Sequence, residues 1–359
     1  MLRVSVVLLL LVAGSSVPAQ PAPLPENVAG VVEASNLQTL QNRLAEYAAA
    51  ASGEKVSPAL GGIALMGLTY STNAGLIEAE RPFRLWLLKG DDGRIAAVAA
   101  FAVKGPSAFR SSLRGDLRKA EEREGLALYT RSVREFDRKA YRQATPDERR
   151  DFQRFMKTRE ETVAVGETES LMCVGKDAGA VRRLMTLATD GKLPEGALFP
   201  ESDAGLWLNA ETLTARAAGE GRLLDPWREG LQELPAPVKA GAIGAILEEY
   251  LTAIESLTAQ TTALTARATA APQEIRLRIG LSVRPKTPLA AYLASVPKGY
   301  PETLKYAPED SAFLFAARMG DVRPLAEWLI GVQSRVAAQA KNPRDLKDWA
   351  EKTRRAVEG

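Results

Sequence analysis

The stretch "EIRLRIGLSVRP", residues 274–285, sets Ile275, Leu277, Ile279, Leu281 and Val283 on one side and Arg276, Arg278, Gly280, Ser282 and Arg284 on the other. Successive side chains of an extended strand leave on opposite faces, so this period of two predicts a strand with one apolar and one wet face. Parallel sheets are covered on both sides, so a half-wet strand belongs in an antiparallel sheet. "RPFRLWLLKGDDGRIAAVAAFAVKG", residues 81–105, reads as a hairpin whose two apolar runs meet at Gly90-Asp91-Asp92-Gly93, and Asp-Gly favours a tight turn. "EGLALYTRS" at 124, "TVAVGETESLMCV" at 162, "AGLWLNA" at 204 and "SAFLFAAR" at 311 are further strand candidates.

Helical signals alternate with these strands. Ser35 to Gln38 fits a capping box ahead of Leu37, Leu40, Leu44 and Tyr47. Thr145-Pro146-Asp147-Glu148 reads as a second helix start, with Phe152, Phe155 and Met156 as its inward stripe. The mixed charges from Arg110 to Glu161 read as solvated helix faces. Ile243, Ile246, Leu247, Tyr250, Leu251, Ile254 and Leu257 keep the three-four spacing of an amphipathic helix. Leu223, Leu224, Trp227, Leu231 and Leu234 offer it a shorter partner, so a helical hairpin is expected over 222–268.

Two patterns recur along the chain. "VAGVVEASNLQTL" at 28, "DAGLWLNAETL" at 203 and "SAFLFAARMGDVRPL" at 311 share a small residue, a short apolar strand, a polar break and a leucine-bearing helix. "FAVKGPSAF" at 101, "MCVGKDAGAV" at 172 and "LSVRPKTPL" at 281 each end a strand at valine, turn, and enter a helix. The spacing from Val31 to Val103 nearly matches that from Leu206 to Val283, which is how a duplicated unit looks in sequence. The expected fold is α+β: two related units of antiparallel sheet with helices packed on one face, at 26–195 and 196–300, plus the helical hairpin insertion. Residues 301–359 read as a strand-helix tail that either completes the preceding sheet or begins an incomplete third unit.

At the front, Arg3, an apolar run from Val4 to Ala13 and Val17-Pro18-Ala19 give the order of a secretory signal over 1–19. A Pro-rich leader follows at 20–25. Export to the periplasm or the extracellular space is the expectation. Apolar residues make up 46% and charged residues 25%, ordinary globular values. Lys and Arg total 47 against 44 Asp and Glu, too even a balance to point to nucleic acid as a partner.

The chain has 0 His and 1 Cys. It therefore cannot build a Ser-His-Asp or Cys-His nucleophile system, a zinc site of the usual His or Cys type, or an intrachain disulfide. Gly175-Lys176-Asp177 lacks the earlier glycine and the hydroxyl of a phosphate-binding loop. Asp177 reads instead as a helix N-cap, and Cys173 as a buried thiol. Arg276, Arg278, Arg284 and Lys286 form a candidate anion-binding stripe, whose ordinary alternative is the wet face of a sheet. No cofactor is expected.

Carboxylates are the one catalytic resource left open. A glycosidase needs two across a cleft, one with a raised pKa, and neither Asp91-Asp92 nor Glu248-Glu249 resembles such a pair. The signal segment, "DAGLWLNAETL" and "LSVRPKTPLAAYLA" resemble exported bacterial proteins built from repeated sheet-and-helix units, a resemblance that implies no activity and no site. The functional expectation is a non-catalytic envelope protein that binds or scaffolds, its partner an envelope protein, a peptide, or a lipid or other apolar small molecule. A carboxylate-dependent hydrolase of an envelope polymer is the alternative. Self-association through the 222–268 hairpin is a further expectation.

Overall fold

The structure is a computed structural model that describes residues 24–53, 60–90, 94–123, 125–137, 140–141, 144–145, 147–212, 242–272 and 274–296. Its strands are β1 (Val28–Ala34), β2 (Phe83–Lys89), β3 (Ile95–Phe101), β4 (Arg118–Arg123), β5 (Leu126–Phe136), β6 (Met156–Glu167), β7 (Met172–Gly175), β8 (Ala204–Asn209), β9 (Thr261–Ala271) and β10 (Glu274–Val283). All ten join one sheet in the order β10-β9-β8-β1-β2-β3-β7-β6-β5-β4, and every pairing is antiparallel. The strands expected in two separate sheets are thus continuous. The seam is β1 against β8, in register from Gly30↔Leu208 to Ala34↔Ala204.

The helices are α1 (Leu37–Ser52), α2 (Leu60–Thr69), α3 (Pro106–Ser111), α4 (Ala178–Thr189), α5 (Ala242–Gln260) and α6 (Pro288–Ser295). They cover both faces of the sheet, not one. Val98 and Ala100 of β3 belong to a core that takes in Ala180, Val181 and Leu184 of α4 with Leu198 and Phe199. Their neighbours Ala99 and Phe101 point the other way, into a core with Leu37 of α1, Leu65 of α2 and Phe109 of α3. There the Phe83 ring stacks on Phe101 at 5.4 Å and Phe109 meets Phe101 edge-on at 5.3 Å. The second half of "IAAVAAF", Val98 to Phe101, is buried on both sides, so apolar residues are wanted on both. Gly205 has a packing reason: a Cβ there would overlap the Phe199 ring.

The strand-to-helix junctions follow local chemistry. Gly105 precedes α3, with Pro106 in its first turn. Asp177 caps α4 by accepting from Ala180 N at 2.7 Å. Thr287 caps α6, with Pro288 in its first turn. At α1 the cap is Asn36, which accepts from Thr39 N at 2.8 Å. Ser35, expected to cap that helix, instead donates to Glu33 and to the Phe199 carbonyl.

Three expectations are corrected. The helix assigned up to residue 268 ends at Gln260, and 261–271 is β9, paired with β8 and β10. Alternate burial of Thr261, Ala263 and Thr265 shows which period won, and β-branched threonine favours the strand. The span 110–161 holds not solvated helix faces but β4, β5 and the start of β6, with β4 exposed along its whole length. The capping box at Thr145 does form, with Thr145 N donating to Glu148 Oε2 at 2.9 Å, yet only two short 3-10 turns follow. Phe152 is drawn onto Phe136 at 4.5 Å, and Phe155 meets Tyr141 at 5.2 Å. Those contacts take the residues a helix would have used.

The signal segment 1–19, Asp91-Asp92, the first limb of the expected hairpin and the tail 301–359 lie outside the described residues. Of the leader only Leu24 and Pro25 are described, and Leu24 packs against the core. No helix among the described residues is long and apolar enough to cross a membrane.

Candidate functional site

β3 and β7 run side by side, with Val98 opposite Gly175. Where the cleft opens on the α2 face, β3 offers Ala97 and Ala99 beside Ile95, and β7 offers Val174 before Gly175. Small residues leave a depression there, and the C-terminal turn of α2 stands over it. Gly67, Leu68, Tyr70, Leu85, Arg94 and Lys176 help to enclose a cleft of about 520 Å³. That volume is within the range of small-molecule sites, roughly 300–1,000 Å³. Its floor is apolar, and Leu68 stays 43% exposed on its wall.

Tyr70 is held in an unusual posture. Its φ is 58°, in the left-handed region, which costs a non-glycine residue on the order of 1–3 kcal/mol. The segment after it secures the turn. Arg114 N donates to the Tyr70 carbonyl at 3.0 Å, and Ser71 bridges to Leu113. The ring is thereby fixed under the guanidinium of Arg131, 4.9 Å from its centroid, a favourable cation-to-ring arrangement.

Behind Tyr70 lies a three-residue ionic group. Arg131 and Glu161 face each other directly across β5 and β6. Arg131 Nε and Nη2 donate to Glu161 Oε2 at 2.8 and 2.5 Å, while Lys176 Nζ pairs with Glu161 Oε1. Glu161 is 6% exposed, Arg131 16% and Lys176 61%. Burial works to raise the Glu161 carboxyl, but hydrogen bonds from Lys176 and Arg131 outweigh it and hold it below the ordinary carboxylate value. The Tyr70 phenol is raised, chiefly by burial. Two cations share this one carboxylate, and of the three side chains Lys176 is the one that lines the cleft. Asp116, 3.8 Å from Arg131 and 54% exposed, adds a second carboxylate to the group.

Of the residues singled out from sequence, Lys176 lines this cleft and Asp177 stands on its rim as a helix cap. Cys173 faces the opposite core, fully buried, and burial pushes its thiol up to about 12. Arg276 and Arg278 lie on β10, which stands at one end of the sheet among the described residues. Arg276 pairs with Glu274 at 2.5 Å and Arg284 with Glu211 at 3.3 Å. Arg278 stands opposite Arg267 of β9, and Lys286 occupies the turn into α6 with φ 62°. None of the four reaches the cleft. Tyr70, Arg131 and Glu161 went unnoticed, although a signal existed: Glu161 shares strand parity with Val163 and Val165, an ionic residue in a row of buried ones.

The other flank of α2 carries a second cleft, of about 510 Å³, where Glu78 and Glu80 stand with Arg81 and Lys104. Its rim is mixed in sign, and among the described residues no buried ion pair backs it. Compared with family models, curated proteins and solved structures, the chain matches none.

Proposed function

We propose that this chain is an exported, non-catalytic binding protein whose ligand sits in the cleft between α2 and the β3–β7 face. The observation that carries this reading is the pairing of an apolar floor of small residues with an ionic group fixed behind one wall. Binding sites of small molecules have that form, mostly apolar with a few placed polar groups. The expected partner is an apolar small molecule of the envelope, and export itself rests on the order of residues 1–19.

The duplicated architecture belongs to the same proposal. β1, its helices, the β2–β3 hairpin and α3 follow the order of β8, α5, the β9–β10 hairpin and α6. Each set of three strands is consecutive in the sheet on its own side of the β1–β8 seam. On that reading β4–β7 and α4 elaborate the first unit, and the cleft lies where the elaboration meets it. The hydrolase alternative gains no support here. Glu161 is held low where a general acid needs a raised value, and the Asp177 carboxylate is committed to its helix.

Ala97 is exposed on the cleft floor, so Ala97→Phe fills the cleft from a position that packs nothing. Wild type and Ala97→Phe, purified from the exported fraction and matched for thermal unfolding, are extracted and compared by mass spectrometry. A small molecule should accompany the wild type and be lost from the variant. Identical extracts from the two proteins would end the proposal.

A further inference from the structure

Resting on the cleft reading, we infer that the ligand is a monocarboxylic acid with a linear apolar tail, its head held by Lys176 and its tail on Ala97 and Ala99. The charge arrangement is what selects the head. The Lys176 ammonium has three donors, and Glu161 takes one of them. The same carboxylate already receives two donors from Arg131, so the remaining ammonium donors of Lys176 are the ones that can turn to a ligand in the cleft it lines. The acid on the rim, Asp177, is turned into α4 by its bond to Ala180 N.

Helix ends do not decide the sign. The N-terminus of α4 and the C-terminus of α2 both border the cleft, and their partial charges are opposite. The choice falls to the side chains, and they favour a single negative charge. Glu161 also disfavours a dianion: it lies next to the ammonium, so a second negative charge on the ligand would meet it. The tail follows from the floor, where Ile95, Ala97, Ala99 and Val174 offer no polar side chain. Leu68 is the exposed apolar group that such a tail would cover.

The test is isothermal titration calorimetry of the full chain with three probes that share a ten-carbon tail: decanoate, decanol and decyltrimethylammonium. A charge-assisted hydrogen bond in place of a neutral one should make decanoate about tenfold tighter than decanol, with the ammonium probe weakest. Lys176→Gln should bring decanoate to the level of decanol and leave decanol unchanged. Ala97→Phe should abolish all three. If the three heads bind alike and Ala97→Phe still abolishes them, the head assignment fails while the cleft stands. Decanoate binding that is indifferent to Lys176→Gln also defeats the assignment. Failure of all three probes, or binding that Ala97→Phe leaves intact, defeats head and tail together.

Discussion

Glu33 and Glu161 are near-twins in chemistry and opposites in circumstance. Each is a buried glutamate standing directly across from an arginine on the neighbouring strand, Arg84 for one and Arg131 for the other. Each arginine also lies against an aromatic ring, Trp86 at 5.9 Å and Tyr70 at 4.9 Å. Around Glu33 every remaining bond goes to the protein. Its oxygens accept from Leu198 N at 2.8 Å, Phe199 N at 3.2 Å and Ser35 Oγ at 3.2 Å. Arg84 donates onward to the carbonyls of Pro194 and Gly196. That pair ties the 193–199 loop to the sheet and is closed. Around Glu161 the third partner is Lys176, more than half exposed and lining a cleft. A buried carboxylate therefore marks a candidate site only where its partners lead out to a cavity; the closed version is a fastening.

The largest expected effect separates the two at once. Glu33→Gln leaves Arg84 buried without a countercharge and should cost about 3–5 kcal/mol, read as a lower urea midpoint at unchanged slope. Glu161→Gln should cost less, about 1.5–3 kcal/mol, because Lys176 can turn to water. Equal losses would erase the contrast.

Acid sharpens the comparison further. The folded Glu161 carboxyl lies below its unfolded value, so its contribution is complete above an unfolded value of about 4.3 and drains away as pH falls through the folded one. The gap between wild type and Glu161→Gln, measured by urea unfolding, should be full at neutral pH and narrow below about pH 4. A constant gap would mean that the variant acts through packing. Smallest of all is Lys176→Gln, which should change stability by less than about 1 kcal/mol because its ion pair is largely solvated at the lysine end. A greater loss would make Lys176 a structural member like Arg84.

Much of the sheet was legible because strand parity is a local property. The alternation at 274–283 and the three strand-turn-helix junctions are each written within a dozen or so residues, the hairpin strands within 81–105, and each stands where it was expected. What failed was decided at a distance. The run at 261–268 keeps alanine and leucine in positions that suit either period, and pairing with β8 and β10 settled it. The charges of 110–161 looked like helix faces because β4 is wet on both sides, so its sequence has no apolar parity to read. Tyr70, Arg131, Glu161 and Lys176 come from a helix end, two strands and the turn after a third, and only the register of β5, β6 and β7 assembles them.

The β1–β8 seam has a consequence for how the chain comes to be made. β1 is made long before residues 204–209, which bring its second neighbour. Until then a nascent chain carries β1 with one row of backbone donors and acceptors unsatisfied, the kind of edge that recruits other chains. Closing the seam also means closing a loop from Gly30 to Leu208, whose entropy falls due before its contacts return anything. Synthesis halted before Ala204 thus leaves β1 with that row open.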